Sequence, residues 1–246
     1  MTKLKFVFIV LFIHFAQCVA TAKDFTVCSP NGRVEAVVSA SDKLTLKVSL
    51  DGKTLVSADD ISLIVDNGRQ IPQKGKARKA TARKVSEMID APFYRQASFG
   101  FEATTMTLAL GDGFALEVLA CDEGVAYRFT TTRKGETVIV DEKASFGFAK
   151  SDRAWLSYST NEKAPFAMAF QNTYHQTAID TARALPAFLP ATVDCGDAKV
   201  TILESDLVSY PGIDRRYKAA GTDQLRTKEG SGHCAMDCVQ CPGRES

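Results

Sequence analysis

Histidine and tryptophan are nearly absent from this chain: three histidines and one tryptophan in 246 residues. His14 falls in an N-terminal apolar run, so His175 and His233 are the imidazoles of the remaining chain. Chemistry that needs a histidine acid or base has few candidates. Net charge is missing too. Thirty Lys and Arg against twenty-nine Asp and Glu leave +1, which gives no reason to expect a nucleic-acid or anionic-membrane partner. No segment holds a 3.6-residue period for three helical turns, and no internal repeat is found. Beyond the N-terminus no apolar run is long enough to span a bilayer.

The N-terminus has the form of a targeting segment. Lys3 and Lys5 precede the apolar run Phe6 to Ala16, and Ala20-Thr21-Ala22 reads as an A-x-A cleavage site. A signal peptide over 1–22 and a secreted, periplasmic product are expected, with no membrane attachment after cleavage. A lipoprotein anchored at Cys18 is the competing reading, opposed by Gln17 where a small residue is wanted. Seven cysteines occur, and cleavage leaves six. Cys28, Cys121 and Cys195 are single and far apart, as expected of small buried apolar residues.

From Phe25 onward strand follows strand. Val34 to Val38 and Leu44 to Leu50 alternate apolar with polar, and Asp51-Gly52 is a hairpin pair. Lys53 to Val56, Ile61 to Val65, Ala97 to Ala103, Thr105 to Leu110 and Phe114 to Ala120 continue the series. Val125 to Thr131, Thr137 to Asp141, Ser145 to Ala149 and Ala198 to Leu203 extend it. The basic stretch 72–86 reads as a solvated connection or an exposed strand. Leu185-Pro186 and Leu189-Pro190 are expected to bracket a loop. About fourteen short strands with turn pairs between them call for a large antiparallel β-sandwich.

After Gly212 the apolar pattern stops, so residues 214–246 are expected to be a disordered, aberrant tail. Within it His233, Cys234, Cys238 and Cys241 have the ligand types of a zinc site. Exported thiols oxidise, however, and the segment lacks apolar residues to fold around a metal, so chance composition is the favoured reading. The acids Glu117, Asp122, Glu123, Asp141, Glu142, Glu162, Glu204 and Asp206 show no pattern that singles one out. Each is read as surface charge, and no catalytic residue or metal ligand is assigned.

Five stretches together carry a family resemblance: Cys28-Ser29-Pro30-Asn31-Gly32, Gly124 to Phe129, Phe170 to Tyr174, the Leu-Pro pairs, and Glu204 to Gly212. Over about residues 24–212 the chain resembles the N-terminal domain of glycoside hydrolase family 97. These are bacterial exo-acting α-glycosidases of the Bacteroides α-glucosidase and α-galactosidase type. The resemblance implies residues 23–213 folded as a β-super-sandwich like galactose mutarotase. It also implies a catalytic (β/α)₈ barrel as the intramolecular partner, with an α-glucan or α-galactoside as the carbohydrate. That barrel does not appear in the sequence, so a truncated product inactive by itself is expected.

In the family, a calcium ion held mainly by the barrel takes one glutamate from this domain, just before a tyrosine. Here Thr173 stands at that place and Glu162 is the nearest acid upstream, so no cofactor is assigned. A mutarotase reading would rest on His175. A third reading makes the domain an autonomous carbohydrate-binding module, with Trp155, Tyr158, Tyr174 and Tyr127 as candidate stacking aromatics.

Overall fold

The computed structural model describes residues 23–65, 68–73, 77, 79–134, 137–159, 172–183, 187–205, 224–226, 235–236 and 239–240. The expected leader 1–22 lies outside them, as do Glu162, Asp206, His233, Cys234, Cys238 and Cys241.

Among the described residues fourteen strands run to residue 202. They begin with β1 (Lys23–Cys28), β2 (Val34–Ala40), β3 (Leu44–Leu50), β4 (Lys53–Val65) and β5 (Gln70–Ile71). Next come β6 (Lys79–Asp90), β7 (Ser98–Gly111), β8 (Phe114–Cys121), β9 (Gly124–Thr131) and β10 (Ile139–Gly147). The series closes with β11 (Arg153–Tyr158), β12 (His175–Ala178), β13 (Ala187–Asp194) and β14 (Lys199–Ile202). A 3-10 turn, Ile179–Thr181, follows β12. Within 214–246 the structure describes three further short strands, β15 (Gln224–Arg226), β16 (Ala235–Met236) and β17 (Val239–Gln240).

Every pairing is antiparallel, in three sheets. The first runs β1-β2-β3-β4-β10-β15, with β5 also on β4; the second runs β16-β9-β8-β7-β6; the third runs β12-β11-β13-β14-β17. Strands β1 and β2 lie against β7, β8 and β9, so the first two sheets face each other as a sandwich. The fold is the all-β sandwich that the alternation called for. Its interior is one continuous cluster reaching all three sheets, from Val34, Leu46 and Leu63 through Leu116 and Tyr127 to Leu156 and Val193.

The alternation explains the inward faces. Val34, Ala36, Val38 and Ala40 of β2 are buried in turn, and so are Phe114, Leu116, Val118 and Ala120 of β8. Four expectations change in detail. Lys53–Val65 is one strand rather than two, with Asp60 at φ +58 inside it. Ser98–Gly111 is likewise continuous. The basic stretch proves to be the exposed-strand alternative from Lys79 onward. The loop expected between the Leu-Pro pairs is, from Ala187, a strand instead, because residues 187–188 and 192–194 pair with β11 and residues 191–194 with β14, carrying the chain through Pro190.

The reading of every acid as surface charge fails at Asp141 and Glu142, both of which are buried. Register slips in β10, between Ile139 and Asp141 and again between Lys143 and Ser145, are the cause. Strict alternation puts one of two neighbours outside, whereas a slip places consecutive residues on the inner side. The same slip leaves Val140 exposed.

Candidate functional site

Of the segment Phe170 to Tyr174 that the sequence singled out, the structure describes Asn172 to Tyr174, which lead through His175 into β12, paired among the described residues with β11. The segment's backbone is fixed from β11. The Asn172 side-chain amide donates to the Tyr158 carbonyl at 2.7 Å, and Ser157 Oγ donates to the Asn172 carbonyl at 3.3 Å. Asn172 Oδ1 in turn accepts the Thr173 N–H at 2.9 Å. One asparagine thereby ties the segment to its neighbour and shapes its own turn, a use of short amide side chains common in loops. The result is an exposed row, Thr173, Tyr174, His175 and Gln176.

Below that row sits Tyr158, buried, with its ring centroid 6.3 Å from that of His175. The Tyr158 hydroxyl accepts the Arg183 N–H at 3.1 Å. Burial pushes the phenol above its ordinary value, and the Arg183 contacts work the other way. A protonated phenol held by a backbone amide is a structural anchor. Across the edge, Tyr174 OH donates to the Pro190 carbonyl at 3.2 Å, so β13 with its Leu189-Pro190 pair borders the same surface.

Of the four candidate aromatics, the structure brings Tyr158 and Tyr174 to one edge and leaves Tyr127 apart in β9. Tyr127 and Tyr158 are core residues, and Trp155 is half-buried between Gln176 and Thr192 on the flanking strands. Tyr174, 47% exposed, is the most exposed of the four. As stacking residues, Tyr127 and Tyr158 are therefore excluded by burial. Thr173 is exposed and supplies a neutral hydroxyl where the family resemblance places a carboxylate. Calcium takes six to eight oxygens with carboxylates among them. Thr173 does not fit that role, and no step is derived through the ion. Among the described residues no cluster of three or more His, Cys, Asp or Glu side chains is placed to hold a metal.

Several of the described acids are held by structural partners. Glu117 accepts Arg128 Nε at 2.7 Å from the directly opposite strand position. Asp51 is bidentate to Arg33, and that guanidinium holds its carboxyl below the usual range. Asp112 pairs with Arg69 at 2.7 Å and Asp60 with Lys43 at 3.1 Å. Asp122 accepts the Asn31 N–H. An open depression on the first sheet is lined by Lys47, Thr54, Ser57 and Phe148 among others, none of them acidic. It offers no carboxyl pair of the kind glycoside hydrolysis uses.

Two of the motifs that carry the resemblance are a turn and a strand. In the first, Ser29 Oγ donates to Asn31 Oδ1 at 2.8 Å and accepts the Val34 N–H at 3.1 Å, with Gly32 at φ +73 closing the bend. In the second, Gly124 to Phe129 is the start of β9, with Val125, Tyr127 and Phe129 buried as the alternation requires. Residues 27–230 match a family model described as glycosyl-hydrolase 97 N-terminal. The chain belongs to that family.

Among known relatives of this family 97 domain is a retaining alpha-galactosidase of Bacteroides thetaiotaomicron, 30% identical over 216 residues. That match takes in 85% of this chain and 33% of the galactosidase. A glycoside hydrolase family 97 enzyme from Pseudoalteromonas sp. strain K8, solved with acarbose, superposes with TM-score 0.64 at 15% identity. It covers 85% of this chain and 35% of that one. A beta-arabinopyranosidase superposes with TM-score 0.72 at 16% identity, over 89% and 39% of the two chains. At such identities the superpositions speak for the fold. The chain spans about a third of the length of the relatives it matches.

Two features of the molecule are not announced by its sequence. One is the anchoring role of Asn172, whose signal was an asparagine next to the end of a strand. The other is the protruding tip between β6 and β7, where Phe93 and Tyr94 are 98% and 80% exposed. Its signal was Ala91-Pro92 followed by two aromatics with no alternation to bury them.

Proposed function

We propose that this domain is a non-catalytic scaffold of a family 97 exo-α-glycosidase, exported to the periplasm, and that it does not hydrolyse glycosides by itself. The observation that carries the reading is the match to about a third of the relatives' length, together with the commitment of Glu117, Asp112, Asp122, Asp141 and Glu142 to strand pairs, turns and the interior. The carbohydrate is of the α-glucoside or α-galactoside class, by analogy with the alpha-galactosidase relative. The row Thr173 to Gln176, next to Pro190, is the surface on which a catalytic barrel seats. It is polar, open and held rigidly from β11.

The test is an assay of the purified chain on aryl α-glucosides and α-galactosides, with and without calcium. No turnover above blank is expected; clear turnover overturns the proposal. Titration with maltooligosaccharides separates the scaffold from an autonomous binding module. The scaffold gives no heat at millimolar sugar, whereas a module gives a saturable isotherm.

A further inference from the structure

At one end of the second sheet lies β6, twelve residues long, paired among the described residues only with β7. Its other edge is a row of backbone donors and acceptors of the kind that recruits another strand. Folded proteins often guard such edges with charge. The charges on β6 are sorted by sign: Lys79, Arg83 and Lys84 lie in the first half, Glu87 and Asp90 in the second. An edge that only repels needs one sign. An edge with its signs split along its length complements itself when turned end for end.

We propose that β6 pairs antiparallel with β6 of a second copy of this chain about a twofold axis, with Val85 opposite Val85. Residues facing each other across an antiparallel pair share a face, so a symmetric pairing joins positions of equal parity. Centring on Val85 puts Arg83 opposite Glu87 twice, Thr81 opposite Ile89 twice, and Ala82 opposite Met88 twice. The neighbouring choices are worse. A centre at Lys84 or at Glu87 sets like charges directly opposed, which destabilises. A centre at Ser86 sets Val85 against Glu87 and Arg83 against Ile89.

Exposure follows the same scheme. Met88 is 70% exposed, and in this pairing it gains a facing Ala82 from the second copy. Val85 and Ile89 are half-buried, and in this pairing each gains a facing neighbour from the second copy. Beyond Asp90 the hairpin continues into Phe93 and Tyr94. In this register each tip runs past the start of the partner's β6, and its aromatics add apolar contact at both ends of the ribbon. Edge pairing alone buries little area, so these aromatics supply much of what a stable dimer needs.

The experiment is sedimentation equilibrium of the purified chain with a charge-swap series on β6. The unaltered chain is expected to dimerise with concentration. Arg83→Glu, which sets a second carboxylate directly against Glu87, is expected to weaken the dimer by about tenfold or more. Glu87→Arg, which opposes two guanidinium groups, is expected to do the same. The double variant R83E/E87R restores opposite charges and is expected to recover most of the affinity. Because both sites are exposed, circular dichroism should show all variants folded. A monomer at every concentration overturns the proposal. So does a dimer unchanged by either single swap, or one that the double swap fails to rescue. A dimer lost on Phe93→Ser yet indifferent to the swaps would assign association to the tip alone and overturn strand pairing.

Discussion

The backbone N–H of Asn31 donates to the Asp122 carboxylate at 3.0 Å, across 91 residues of sequence. Asn31 belongs to the turn joining β1 to β2, and Asp122 to the turn joining β8 to β9. The bond therefore clasps one end of the sandwich, sheet to sheet. It joins one turn that carries the family resemblance to the turn that leads into β9. Asp122 was read as solvated charge; it is exposed, but it has a fixed partner. Asp122→Ala is expected to cost about 1 kcal/mol, the low end for a charge-assisted bond because water reaches the site. Urea unfolding checks this through the midpoint. A shift no larger than that of Glu123→Ala, its exposed neighbour, would make the clasp ornamental.

Cys195 sets an alkaline limit on stability. Its thiol lies at the end of β13, with Sγ 3.9 Å from the Leu55 carbonyl. Burial first, and then the neighbouring Asp152 and Asp194, push it from 9.0 up to about 12, while Lys53 pulls the other way. The unfolded thiol releases its proton at the lower value and the folded one at the higher. The contribution to stability is therefore full below about pH 9 and declines as pH rises towards about 12. Tyr158, also raised, adds loss in the same direction above its ordinary value of 10.0. Cys195→Ala should flatten part of this slope and Tyr158→Phe another part. Unfolding midpoints at about pH 8 and about pH 10.5 measure both against the unaltered chain.

Turn glycines give a sharper comparison. Gly113 stands at φ +79, and a Cβ there would sit 2.9 Å from Arg133 Cγ. Gly196 stands at φ +88 with nothing within 4 Å of such a Cβ. Alanine at either position meets the left-handed penalty of about 1–2 kcal/mol. Gly113→Ala meets the Arg133 side chain as well. The contact is with Cγ, at the root of that side chain, so relief requires a change in χ1, and the excess over Gly196→Ala should be about 1 kcal/mol. Midpoint shifts of the two variants provide the check. Equal stability to the unaltered chain in either would contradict the backbone argument.

What the sequence made legible is what alternation encodes. Leu44, Leu46 and Val48 are buried in β3 as their period demands, and Tyr127 is in the interior as its place in β9 implies. The family followed from turns whose residue types are forced by local geometry, such as Ser29, Asn31 and Gly32. What it hid lies where the period slips. Asp141, Glu142 and the exposed Val140 sit at register shifts set by partner strands, and nothing local in the sequence announces a slip. Pro190 hid a strand in the same way: a proline argues locally for a loop, and pairing with β11 and β14 overrides it. The site edge was half legible. Its segment was found, but the asparagine holding it depends on β11, about fifteen residues away.

The aromatic candidates divide cleanly by variant. Tyr127 is 2% exposed at the centre of β9, opposite Val118 of β8. Tyr127→Ala removes a large buried ring and is expected to cost about 3–5 kcal/mol, enough to unfold much of a marginally stable domain. Tyr174 keeps nearly half its surface in solvent, and its hydroxyl bonds the Pro190 carbonyl. Tyr174→Ala is expected to cost under about 1 kcal/mol. Thermal unfolding of the two variants tests the division. A binding role would show itself at Tyr174 alone: a folded Y174A chain with weaker sugar binding than the unaltered one. Stability loss at Tyr174 comparable to that at Tyr127 would instead make the Asn172–His175 edge part of the core, and the open surface assigned to a barrel would not exist.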